Sequence, residues 1–196
     1  MASKSTPETG PDQGSAAHDG ILSIDKLTQT YDSAEDRIGI DAQSTDGKVL
    51  RLWLTRRLGD ALFGHLGHRL SAVQTRKDPD FSRHMQVWEQ QSAQAQLKQD
   101  EPVRWQGESV LLSAVDITPA SGSVKLVFKT SLAGADRPVA ALTLSDIHMR
   151  QWLGIMFRVY QMAAWPVSAW PEWLGEAQKP MASEAEVSAS AGNKGD

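Results

Sequence analysis

The order of apolar and polar positions sets out one plan twice along the chain. In the first stretch, alternation marks residues 21–28 as a strand, a polar turn follows at 31–36, and residues 37–43 form a second strand. Asp46-Gly47 is a strong hairpin signal, and it leads to a third strand over residues 48–54. Thr55 then stands where a helix N-cap belongs, and Leu58, Leu62, Phe63, Leu66 and Leu70 recur at helical spacing, predicting a helix over 56–73. Gly59, Gly64 and Gly67 weaken that helix and mark close packing against the sheet.

The second stretch repeats this order. Strands are expected at 110–118, 124–130 and 139–144, with a turn at 119–123 and a loop containing Gly134 and Pro138 before the last strand. Ser145 caps a helix whose apolar side holds Ile147, Met149, Trp152, Leu153, Met156 and Tyr160, and Asp146 suits the positive end of its dipole.

Between the two stretches, residues 80–98 read as a connecting helix. Its thin apolar stripe of Phe81, Met85 and Trp88, extended by Leu97, is expected to pack on the body. After the second helix, residues 164–174 hold Trp165, Trp170 and Trp173 interleaved with Pro166 and Pro171, which forbid one continuous helix. Residues 1–20 and 175–196 are rich in Ser, Ala, Gly and charged residues and too poor in apolar surface to offset the entropy of ordering, so both read as disordered tails.

The two stretches align at a constant offset of 90, with Leu22, Ser23, Thr28, Ser33, Asp46 and Gly64 falling on Leu112, Ser113, Thr118, Ser123, Asp136 and Gly154. Roughly nine or ten identities fall within about fifty positions, above the two to four expected at ordinary composition. Leu50, Leu52 and Leu54 share one side of the third strand, and Leu142 and Leu144 share the matching side of the sixth; the helices must cover these leucines. The expected fold is α+β: one domain over 21–174, made of two βββα repeats (21–73 and 110–163) in tandem. The units share an antiparallel sheet with both long helices on one face, and a pseudo-two-fold relates them.

Composition narrows the chemistry. The 40 % apolar and 22 % charged content are those of a globular chain, and the formal charge of −4 gives no global attraction to nucleic acid or anionic lipid. There is no cysteine, which excludes disulfides and thiolate chemistry. Neither an apolar leader nor a membrane-length apolar run occurs, so a cytoplasmic protein is expected. Seven of the thirteen aromatic residues are tryptophan.

The outer sheet face is the first candidate surface. It presents Arg37, Arg51 and Trp53 from the first unit and Lys125 and Lys129 from the second, with Arg104 and Trp105 in the segment between. Cations and aromatics on an open sheet are what single-stranded nucleic acid binders use, because bases stack and phosphates pair. The same face can instead be solvated, dimer-forming, or covered by the connecting helix or C-terminal segment. Trp165, Trp170 and Trp173 are the second candidate: an anchor for a protein partner if exposed, a lid over the shared core if folded back. Arg56 and Arg57 open the first helix against its dipole, which suits solubilising surface or an acidic partner.

His65 and His68 are spaced for a metal, with His84 further on, but no third ligand motif accompanies them, so no metal and no cofactor is expected. Neither a nucleophile elbow, a Walker loop, a dinucleotide fingerprint nor a zinc-protease motif is present, and no enzyme is expected.

The repeated plan, with Leu142-Thr143-Leu144-Ser145 running into a helix that carries Trp152-Leu153-Gly154, resembles the strand-to-helix junction of PUR repeats and the wider Whirly-like group. That resemblance implies single-stranded DNA or RNA on the sheet, with Trp53 and Trp105 stacking on bases and Arg37, Arg51, Arg104, Lys125 and Lys129 meeting phosphates. The chain departs from it in having three strands per unit and no strongly basic face. The residues themselves favour a non-catalytic binding or assembly protein, or homo-oligomer, that holds a macromolecular partner by the sheet face or the tryptophan segment.

Overall fold

A computed structural model describes residues 20–72, 78–98 and 100–179; the expected tails fall outside these, apart from Gly20 and residues 175–179. The fold is α+β, with six strands and four helices among the described residues. The order is β1 (Leu22–Asp32), β2 (Arg37–Ser44), β3 (Val49–Leu54), α1 (Arg56–Ala72), α2 (Pro79–Ala95), β4 (Ser109–Ala120), β5 (Ser123–Leu132), β6 (Ala135–Ser145), α3 (Asp146–Met162) and α4 (Glu172–Ala177).

The sheet corrects the purely antiparallel expectation. The strands close into a barrel in the order β1-β2-β3-β4-β5-β6. Within each half the pairing is antiparallel, but β3 pairs β4 in parallel at Arg51↔Ser109 to Trp53↔Leu111, and β1 pairs β6 in parallel at Leu22↔Ala140 and Ser23↔Ala141. A parallel pair needs a long crossover, and α1 with α2 supplies it between β3 and β4.

The leucines that share a strand side do turn inward together. Leu50, Leu52, Leu54, Leu142 and Leu144 are buried with Ile38, Ile40, Leu126 and Phe128 in one core, which also takes in α1 and α3. The Thr55 hydroxyl accepts from the Leu58 N–H and the Ser145 hydroxyl from the His148 N–H, so both expected caps form. Phe63 of α1 meets Trp152 and Tyr160 of α3 edge to face, which locks the two helices together.

Three local expectations change. Pro138 lies inside β6 instead of a loop: the register slips between Phe128 and Lys129, so the ring with no N–H sits at a bulge. The α1 glycines pack on the C-terminal segment and α3, not on the sheet. A Cβ at Gly64 would come within 2.8 Å of the Ala169 carbonyl oxygen, one at Gly67 within 2.6 Å of the Pro171 ring, and one at Gly59 would strike the Tyr160 hydroxyl. Finally, α2 is turned over relative to its expected packing. Gln86, Gln90 and Ala93 form its buried side, while Phe81 and Trp88 are exposed and Met85 is half-buried.

No helix among the described residues is long and apolar enough to cross a membrane.

Candidate functional site

Hairpin geometry builds the outer patch on β2 and β3. The turn at Asp46-Gly47, with Gly47 at φ +83°, sets Asp41 opposite Arg51 and Gly39 opposite Trp53. Gly39 has no side chain, so Trp53 and Arg51 lie close over its backbone; a Cβ there would be 3.3 Å from the Trp53 ring. Arg51 donates to both carboxylate oxygens of Asp41, Nε at 2.6 Å and Nη2 at 2.9 Å. Its guanidinium also lies 5.1 Å from the Trp53 ring centroid and 4.1 Å from that of Trp105. The hydrogen bond to Asp41 raises the Arg51 pKa above its ordinary value, so the cation stays charged and held.

Trp105 is fixed as firmly. Its indole N–H donates to the Glu108 carbonyl at 2.7 Å, and the same carbonyl accepts from the Arg51 backbone N–H. The patch therefore brings Arg51, Trp53 and Trp105 together, but as a closed set: a clasp that ties the segment before β4 to the barrel.

The other expected cations are not gathered into one surface. Arg37 pairs with Glu35 at 3.3 Å, and Lys129 pairs with Asp116 at 2.6 Å. Lys125 on β5 stands exposed between Thr118 and Thr143, and Arg104 is exposed beside the clasp. Asp41, the partner of Arg51, was not among the expected site residues. Its pairing follows from the hairpin register, which centres on Asp46: Asp41 lies five residues before it and Arg51 five after, so the two face each other.

The tryptophan segment is folded back. Trp165, Trp170 and Trp173 are all buried, so the exposure that an anchor needs is not met. Trp170 stacks on Phe63 at 5.0 Å and meets Phe157 and Tyr160 edge to face. The Trp165 N–H donates to Asp36 at 2.8 Å, and the Trp173 N–H donates to the Ser71 hydroxyl at 2.9 Å. Asp36 also accepts from the Tyr31 hydroxyl; these two hydrogen bonds, the Trp165 one first, hold its carboxyl below the ordinary range.

The surface that the sequence reading missed is the outward side of α2. Its inward side is held by amides. The Gln86 amide donates to the Leu70 carbonyl, Gln90 to the Arg150 carbonyl, and Gln94 to the Arg150 and Gln151 carbonyls. Arg150, buried on α3, donates to Gln86 and Glu89 and lies 5.4 Å from the Trp173 ring; burial lowers its pKa from the usual value while Glu89 and Asp146 counter the shift. Gly154 leaves room for the Gln90 and Gln94 amides. With glutamines inside, Trp88 is left 62 % exposed and Ile147 of α3 48 % exposed. Both line a groove of about 210 Å³ between α2 and the start of α3, together with Glu89, Asp146 and Arg150. The Asp146 Oδ1 oxygen is buried with no hydrogen-bond partner among the described residues.

His65, His68 and His84 are exposed on α1 and α2, and no group of metal-ligating side chains forms among the described residues. Comparison with known proteins gives no match to a family model, to a curated protein or to a solved structure.

Proposed function

We propose that this chain is a non-catalytic binding module that holds a protein partner on the outward side of α2. The observation that carries the reading is the inverted helix: glutamines packed inward, and Trp88 and Ile147 presented outward around a groove. Exposed tryptophan beside a shallow pocket is the usual make-up of an interface hot spot. The groove also favours one kind of occupant. Glu89 and Asp146 line it, Arg150 is already engaged by Glu89, and the Asp146 oxygen has no donor. That charge suits an apolar anchor flanked by lysine or arginine, as on an amphipathic helix with a basic rim. It opposes a second copy of this chain, which would set acidic rim against acidic rim.

The single-stranded nucleic acid reading is the lesser one. Arg51, Arg37 and Lys129 each already pair with a carboxylate, which leaves Lys125 and Arg104, among those proposed for phosphates, as the cations with no carboxylate partner among the described residues. We also infer that the two halves descend from one βββα unit. The offset of 90, the two capped helices, and a bulge early in each half, at Ile24/Lys26 and at Leu112/Ala114, support that descent.

Site-specific photo-crosslinking in cells tests the partner reading. A crosslinker at Ser92, on the groove, is expected to give a discrete adduct that protease removes and nuclease does not, and Trp88→Ala is expected to abolish it. A nuclease-sensitive adduct at Lys125, with nothing at Ser92, would replace this reading by the nucleic acid one.

A further inference from the structure

The barrel closes weakly on one side. Among the described residues β1 pairs with β6 only through Leu22 and Ser23, after which β1 continues to Asp32 paired with β2 alone, while β6 continues to Ser145 along β5. The two strands part, and a groove of about 710 Å³ opens between residues 24–28 of β1 and 142–144 of β6. One side of α3, from His148 to Arg158, forms its wall. Asp100, Glu101 and Val103 also line it, and the Val103 N–H donates to the Thr28 hydroxyl at 2.9 Å.

Three features of the groove select its occupant. In an antiparallel ladder, alternate residues turn their N–H and C=O away from the partner strand, so β1 beyond Ser23 presents a row of such groups into the groove with no second strand among the described residues. Trp152, 3 % exposed, lines the same groove, and its indole N–H is buried with no acceptor among the described residues. The rim charges cancel: Lys26, Lys98 and Arg158 against Asp25, Asp100 and Glu101. A neutral rim gives no draw to a polyanion or an anionic lipid. A polypeptide backbone alone supplies donors and acceptors in alternation at strand spacing.

We propose that this groove takes an extended peptide segment of a partner protein, added as a strand along the free edge of β1. Alternate side chains of the segment rest on Leu27, Trp152 and Ile155, and one of its carbonyls accepts from the Trp152 indole. A second copy of this chain is disfavoured, because its own β1 is held in the barrel by β2 along its length and would have to leave it to enter the groove. The site shares no lining residue with the α2 groove, so either can fail without the other.

Amide-resolved NMR titration tests the proposal. The probes are blocked hexapeptides alternating threonine with valine, leucine or phenylalanine, and the same peptides N-methylated at alternate amides. The unmodified set is expected to shift the amides of residues 25–28 and the Trp152 indole N–H. N-methylation is expected to weaken binding about tenfold or more, because it removes backbone donors and keeps the side chains. Ile155→Lys is expected to abolish the shifts and Trp88→Ala to leave them unchanged. Equal binding of both sets would make the groove an apolar small-molecule site. No shift at about 10 mM peptide, where even weak segments bind, would overturn the proposal outright. If Ile155→Lys fails to fold, the N-methyl contrast still decides.

Discussion

Trp170, after α3, and Trp88, on α2, belong to segments that both pack against α3, yet one is 5 % exposed and the other 62 %. Around Trp170 the neighbours are rings: Phe63 stacked, Phe157 and Tyr160 edge-on, in a space that Gly64 and Gly67 open by letting Ala169 and Pro171 approach α1 closely. Opposite α2, the early turns of α3 present backbone carbonyls at Arg150 and Gln151 and a buried guanidinium. An apolar stripe laid there would leave the Arg150 charge without partners in a low dielectric, at a cost of several kcal/mol. Glutamines satisfy it, and the stripe goes outward. Which side of a helix is buried depends on what the neighbour needs as much as on its own hydrophobicity.

The largest effect should come from breaking this contrast directly. Trp170→Ala removes a ring from the centre of the aromatic cluster, and is expected to cost about 3–5 kcal/mol in urea unfolding. Trp88→Ala removes an exposed ring and is expected to change stability by no more than about 0.5 kcal/mol. Equal losses would mean that Trp88 is a core residue and that the docking reading fails.

Next in size is the clasp on the outer sheet. Arg51→Gln strands the Asp41 carboxylate, which is 4 % exposed, and is expected to cost about 3 kcal/mol. Adding Asp41→Asn should restore part of that loss, since it removes the charge left unpaired. If Arg51→Gln unfolds at the wild-type urea midpoint, the pair is not a structural clasp, and Arg51 returns as a candidate contact for an anionic partner.

Much of the fold was legible from local pattern. The six strands, the two caps at Thr55 and Ser145, and the inward leucines follow from periodicity and turn chemistry, which act over a few residues. The parallel seams did not show, because they depend on how one half meets the other across α1 and α2. The candidate site was legible as a set of residues but not as a state. Arg51, Trp53 and Trp105 do come together, yet Asp41 closes the set, and single-residue reasoning treats a cation as free until its carboxylate is found. The Gln86, Gln90 and Gln94 ladder was hidden for the opposite reason. Glutamine reads as solvated surface, and only the carbonyls and Arg150 across the interface make it a buried side.

The smallest effect separates the two tryptophan environments by pH. Asp36 accepts from the Trp165 indole and the Tyr31 hydroxyl, and these bonds lower its pKa in the folded state. A lowered folded pKa contributes stability that is present above the unfolded carboxylate value of about 3.9 and is lost as pH falls through the folded value. Asp36→Asn removes the charge while keeping a residue that tolerates the left-handed conformation at φ +47°. The wild type should therefore exceed the variant in urea midpoint at pH 7, and the gap should narrow below about pH 4. Trp165 emission should shift with that gap, whereas Trp88 emission, far from any need of Asp36, should not. A gap that stays constant across the acid range would show that Asp36 holds the segment by shape alone, with no contribution from its charge.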